Sequence, residues 1–210
     1  MIKKFEEICE PDPRRLRQVV LDENGQMKSL TLEHIHSNLH NIKLHVGVPE
    51  NIQTHFEIAQ TLYLFSWFYY PFDVVSQQYA FITVEFALKE RYGIHKTPIV
   101  IADGAEAIKN QLYNEIRKNP FKKLFRQAVT ERHITDKGFS LIQFDRLLAI
   151  AESKSDKFKR NKPNPYSHAL IEILPDFRNQ SAHGSIRLNA QGSEFLIICV
   201  ELINQLFDTP

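Results

Sequence analysis

Between Glu50 and Tyr70 the chain carries Phe56, Ala59, Leu62, Tyr63, Phe65, Trp67, Phe68, Tyr69 and Tyr70, which leaves little polar surface on any side. A helix that is apolar nearly all round sits at the centre of its domain, so the other segments are read as what packs around it. Pro71 interrupts this helix, because the proline ring clashes with the preceding turn. Helical spacing then resumes through Val75, Tyr79, Ile82, Phe86 and Lys89, and Gly93 offers a C-terminal stop. The aromatic run from Tyr63 to Phe72 has the density of a core rather than of a base-stacking platform. The longest apolar stretch, Leu62 to Val75, contains Ser66, Pro71 and Asp73. It falls short of the roughly 20 residues a membrane-spanning helix needs.

Around this centre the periodicity is again helical. Leu32, Ile35, Leu39 and Ile42 are spaced three and four apart, and Pro49 suits the first turn of the next helix. Weaker helical segments run over residues 102–117 and 121–131, separated by Pro120. A better one covers Phe139 to Ala151, with Ser140 as its cap. Residues 153–165 are polar, Lys-rich and Pro-containing, which predicts an exposed loop. Ser167 to His183 is helical with Pro175 inside, and a last helix runs from about Ala190 to Phe207. Only residues 14–30 look like β structure: a strand over Arg15 to Leu21, a turn at Asp22-Glu23-Asn24-Gly25 and a return over Gln26 to Leu30. The expected fold is therefore mainly α, with a small N-terminal β-hairpin. Residues 1–46 form the hairpin and a short helix, and residues 47–210 form the helical domain. With 7 Gly in 210 residues, a turn-rich all-β fold is disfavoured.

Several function classes drop out. There is no Gly-x-Gly-x-x-Gly, no P-loop and no Gly-x-Ser-x-Gly elbow. The two cysteines, Cys9 and Cys199, lie far apart and read as unrelated thiols. His34, His36, His40 and His45 invite a metal, but no His-Glu-x-x-His is present, and Glu33 is the only acid close by. They read as a polar helix face, and neither metal nor cofactor is expected. The N-terminus meets charge before any apolar run, so a cytoplasmic protein is expected.

The net charge of +1 hides local imbalance. Lys109, Arg117, Lys118, Lys122, Lys123 and Arg126 face one acid, Glu115; Lys154, Lys157, Lys159, Arg160 and Lys162 face one acid, Asp156. Such clusters suit phosphate contacts, or else form a solvated face and a flexible loop.

The string with the most chemical content is Leu174-Pro175-Asp176-Phe177-Arg178-Asn179-Gln180-Ser181-Ala182-His183-Gly184. Arg178 offers a planar, always charged fork for phosphate oxygens, and His183 titrates near neutrality. Together they make a workable metal-free pair for phosphodiester cleavage: the imidazole moves the proton while the guanidinium stabilises the transition-state charge. RNA supplies its own nucleophile, the 2′-hydroxyl, so such a site favours RNA. On a regular helix positions i and i+5 stand about 140° apart. Arg178 and His183 can meet only if the helix ends near Gly184, or if two subunits share them across a two-fold axis. As plain structure, Arg178 pairs with an acid such as Asp176, and His183 caps the helix as a cation near its C-terminus.

The Arg-Asn-x-x-Ala-His-Gly wording resembles the signature of the HEPN superfamily (higher eukaryotes and prokaryotes nucleotide-binding domain), and residues 79–89, with Glu85, look like an earlier helix of that family. The resemblance covers roughly residues 50–208. It implies an up-and-down helical bundle and a metal-independent endoribonuclease whose Arg178 and His183 meet in a composite cleft of a homodimer. Asn179 would orient the substrate or the arginine, or else make a helix-end hydrogen bond. Glu85 would hold Arg178, or else form an ordinary salt bridge. RNA would be drawn in by Lys118, Lys122, Lys123, Arg126, Lys157, Lys159 and Arg160. Such proteins often serve as toxins or antiphage effectors, which implies an antitoxin or regulatory partner. The alternative is a non-catalytic HEPN-like module that binds RNA, a nucleotide or a partner protein.

Overall fold

The computed structural model describes residues 3–21, 24–94, 120–156, 158–182 and 192–208, with residues 120 and 176–182 described in their backbone only. Among the described residues there are seven α-helices and one two-stranded antiparallel sheet. In chain order these are β1 (Val19–Leu21), β2 (Met27–Ser29), α1 (Leu32–Asn41), α2 (Glu50–Phe65), α3 (Phe72–Arg91), α4 (Pro120–Thr130), α5 (Phe144–Lys154), α6 (Pro165–Ala182) and α7 (Gly192–Phe207). Single 3-10 turns lie at Phe5–Glu7 and Asp136–Gly138. The mainly helical class with an N-terminal hairpin is what the chain adopts. The helix expected over 102–117 lies outside the described residues. Among the described residues no helix is long and apolar enough to cross a membrane.

The hairpin is shorter than expected. Val19 pairs with Ser29 and Leu21 with Met27, and Gly25 takes φ +73° in the turn, which only glycine adopts at no steric cost. The first strand does not begin at Arg15, because that residue is drawn into the interior. Arg15 is 1% exposed and Asp73, at the start of α3, is 0% exposed; their Nη2 and Oδ2 atoms stand 2.7 Å apart. The Arg15 guanidinium also donates to Gln18 Oε1 at 2.9 Å and to the Ser66 hydroxyl, and it lies over the rings of Tyr63 and Tyr70. Gln77 donates to the second Asp73 oxygen at 2.7 Å. Asp12 completes the dock. Its N–H donates to the Trp67 carbonyl at 2.8 Å, and its carboxylate accepts from the Tyr70 N–H and from Arg14. The N-terminal segment is thus fastened to the corner between α2 and α3.

That corner is where Pro71 acts. The apolar run does not continue as one helix to Tyr70. It ends at Phe65, and Pro71 stands at the N-cap of α3, where its missing N–H costs nothing. Its aromatics divide: Tyr63, Trp67 and Tyr70 are buried, whereas Phe65, Tyr69 and Phe72 are exposed. The Val75–Tyr79–Ile82–Phe86 stripe faces the core only in part: Val75 and Ile82 are exposed, while Tyr79 and Phe86 are partly buried against it. The buried side of α3 carries Val74, Ala80, Phe81, Val84, Ala87 and Leu88, together with Ser76 and Thr83. Small residues there let α2 approach closely enough for the Ser76 hydroxyl to donate to the Ala59 carbonyl at 2.8 Å. Gly93, at φ +63°, follows the end of α3 as expected.

One apolar cluster joins the rest. Leu30, Ile35, Leu39 and Ile42 enter the same core as Ile52 and Phe56 of α2, Phe121 and Phe125 of α4, Leu170 and Ile173 of α6, and Leu202 and Leu206 of α7. Thr31 caps α1 through a capping box with His34. The α5 helix begins at Phe144, not Phe139, and Ser140 is not its cap: the Ser140 N–H donates to Glu201 at 3.0 Å. Tertiary packing claims Phe139 instead, against the Tyr166 ring at 5.1 Å between centroids. The N-terminus of α6 is capped from a distance. Asp136 accepts from the Tyr166 and Ser167 N–H groups at 2.9 and 2.8 Å, placing a negative charge where the helix dipole favours it.

Candidate nucleic-acid interface on α4 and α6

The α6 helix presents one carboxylate, Glu172, to two cations of α4. Lys122 and Arg126 are four residues apart, so both project from one face of α4. Lys122 Nζ donates to Glu172 Oε2, and Arg126 Nη2 donates to Oε1 at 3.0 Å. Burial pushes the Glu172 carboxyl up, but the Lys122 hydrogen bond and charge, followed by those of Arg126, more than offset this and hold it below the usual glutamate range. Two cations share one anion, so the triad keeps a positive excess. His168 stands one turn earlier on α6. Burial, then the nearby Lys162 charge, lower its affinity for a proton.

Of the residues singled out in sequence, Arg178 and Asn179 lie in the last turns of α6, whose helical backbone runs through Ala182. Glu172 precedes Arg178 by six residues, about 9 Å along a helix axis. The α4 cations are therefore anchored to the helix that bears the first part of the motif. His183, Lys118 and Lys157 lie outside the described residues. Glu85 is buried on α3, which packs against α6, and it accepts from Lys89 Nζ at 2.6 Å. Lys123 lies on the exposed side of α4. Lys159 is exposed in the loop after α5, and Arg160 pairs with Glu152 at 2.7 Å and lies 3.7 Å from Asp145. The second basic segment is thus partly neutralised by acids of α5. Its loop is less solvated than its composition predicts, since Phe158 is buried.

Sequence reading missed Glu172, the acid that organises the first basic segment. The signal was the four-residue spacing of Lys122 and Arg126, which aims both at one partner. Two of the four histidines of the N-terminal region, His34 and His45, are held by backbone partners. His34 caps α1; His36 and His40 stack at 6.5 Å; His45 accepts from the Gly47 N–H on Nδ1, which leaves Nε2 to donate toward Asn204 and Asp208. Among the described residues no three metal-ligating side chains converge. Comparison with known proteins finds no family model, no curated protein and no solved structure that matches the chain.

Proposed function

We propose that this protein is a metal-independent endoribonuclease of the HEPN type. The observation that carries the reading is the Arg178-Asn179-x-x-Ala-His183-Gly184 string, which begins on a helix that is followed in the chain by one last apolar helix. The positive triad of Lys122, Arg126 and Glu172 beside that helix supports it.

In this mechanism His183 of one subunit accepts the proton of a ribose 2′-hydroxyl. The 2′ oxygen bonds to phosphorus while the bond from phosphorus to the 5′ oxygen breaks. The leaving oxygen takes a proton from the His183 of the second subunit, and a 2′,3′-cyclic phosphate remains. Arg178 lies against the non-bridging oxygens, where charge builds up in the transition state. Asn179 orients the arginine or the substrate, and Glu85 supports the motif helix from α3. Lys118, Lys122, Lys123, Arg126, Lys157, Lys159 and Arg160 contact the RNA backbone. The bundle is of the HEPN type, it works as a homodimer in the cytoplasm, and an antitoxin or other partner restrains it.

The reading is tested with labelled single-stranded RNA in EDTA. Wild type cleaves; His183→Ala and Arg178→Ala lose at least a hundredfold in rate while keeping wild-type circular dichroism. Equal cleavage by His183→Ala overturns the site assignment. Salt-sensitive binding without cleavage identifies a binding module instead.

A further inference from the structure

We infer that the outer face of the α2–α3 hairpin is the surface on which a second copy of this chain docks. On α3, Phe72, Val75, Tyr79, Ile82 and Phe86 follow one another at intervals of three and four. At 100° per residue they fall within one arc of about 80°. The buried residues of α3 occupy the opposite side. On α2 the same intervals run through His55, Ile58, Leu62 and Phe65, and Tyr69 extends them into the turn. The two stripes adjoin, because the His55 ring accompanies both Tyr79, through a 3.1 Å hydrogen bond, and Phe86, edge-on at 5.3 Å.

A stripe of this period is what one helix offers another. In this chain it points to solvent: Ile82 is 51% exposed and Phe65 49%, and Ile58, Tyr69, Phe72 and Val75 are exposed as well. With large side chains of roughly 150–250 Å² each, six such residues between 36% and 51% exposed leave an apolar patch on the order of 500 Å². The half-buried Leu62, Tyr79 and Phe86 bring it toward the roughly 800 Å² per partner of a stable complex.

Charge decides the occupant. The stripe positions from Phe72 to Phe86 and from His55 to Tyr69 include no Asp, Glu, Lys or Arg; Lys89 and Glu90 follow only at the C-terminal end of α3. A two-fold contact sets a surface against itself, so any charge near the axis meets its own like; a face without charges meets no such repulsion. Two hairpins joined in this way make a four-helix seam of the kind that 3-4 spacing specifies. The homodimer belongs to the function proposed above, but the surface itself is carried by apolar exposure and spacing. A dimer that does not cleave RNA overturns the proposed function and leaves this surface standing, whereas a monomer overturns this surface.

The test is sedimentation of the full chain over a range of concentrations. The wild type forms a dimer. Ile82→Glu and Phe65→Glu each weaken it at least a hundredfold, while Val46→Glu, at a fully exposed position off this face, leaves it intact. Circular dichroism checks that each variant is folded. In a Cys9→Ser background, Val75→Cys should be joined to its counterpart by a short bis-maleimide. A wild-type monomer at high concentration overturns the inference. So does a dimer that folded Ile82→Glu and Phe65→Glu both retain, or a dimer in which Val75→Cys stays uncrosslinked.

Discussion

Arg15 is the residue on which the N-terminal segment depends. It crosses from that segment into the α2–α3 corner and neutralises Asp73, which burial holds above the usual aspartate range against the pull of Arg15 and the Gln77 hydrogen bond. Gly192, at the start of α7, closes the same pocket, since a Cβ there would stand 2.4 Å from Asp73 Oδ1. Replacing Arg15 by Met leaves a buried carboxylate with no cation, a loss of about 3–5 kcal/mol. Urea denaturation of Arg15→Met should show this as a lower midpoint with unchanged slope. Adding Asp73→Asn should recover part of the loss, because the stranded charge is gone; a double variant no more stable than Arg15→Met would show that packing, not charge, holds the corner. Nothing in the local sequence announced this pair. Arg15 sits in a run of basic residues, and its partner is 58 positions away.

At the scale of elements, helices were legible, and so was the buried face of α1, but not that of α3. Pro49, Pro71, Gly93 and Pro120 mark helix ends because backbone chemistry is local. The orientation of α3 was hidden because both its sides are apolar. The large side chains attract attention, while the small ones, Ala80, Ala87, Ser76 and Thr83, allow close packing. Likewise Phe139 belongs to a helical pattern, but the Tyr166 ring captures it and α5 starts later.

Two predictions belong to α6. The folded chain resists protonating His168, whereas the unfolded chain takes up that proton near pH 6.5. Stability therefore falls as pH drops below 6.5, and His168→Gln should flatten that part of the profile when denaturation is compared at pH 7.5 and 5.5. An unchanged slope would place the pH dependence elsewhere. Glu172→Gln, by freeing Lys122 and Arg126 from their shared acid, should tighten RNA binding several-fold. It should also steepen the dependence of log affinity on log salt by roughly 0.7 for each added phosphate contact. Affinity and slope both identical to wild type would show that Glu172 does not hold these two cations back from RNA.

At the scale of the whole molecule, the class and the hairpin could be read in advance because hydrophobic period and turn chemistry are written locally. The single core that unites residues 30–42 with α2, α4, α6 and α7 could not, since it depends on contacts between distant segments. The candidate site was legible only as chemistry. Arg178 and His183 suit RNA cleavage by residue type, and Lys122 and Arg126 are tied by Glu172, an acid the local sequence did not single out, to the helix that carries Arg178.

The central claim is that cleavage uses the substrate's own 2′-hydroxyl and no metal. The most direct test is end-group analysis of an oligoribonucleotide incubated in EDTA, beside the same sequence with every 2′ position methylated. The account predicts 2′,3′-cyclic phosphate ends from the first and no cleavage of the second. Cleavage of the methylated strand, or 3′-hydroxyl ends from the unmodified one, would contradict it.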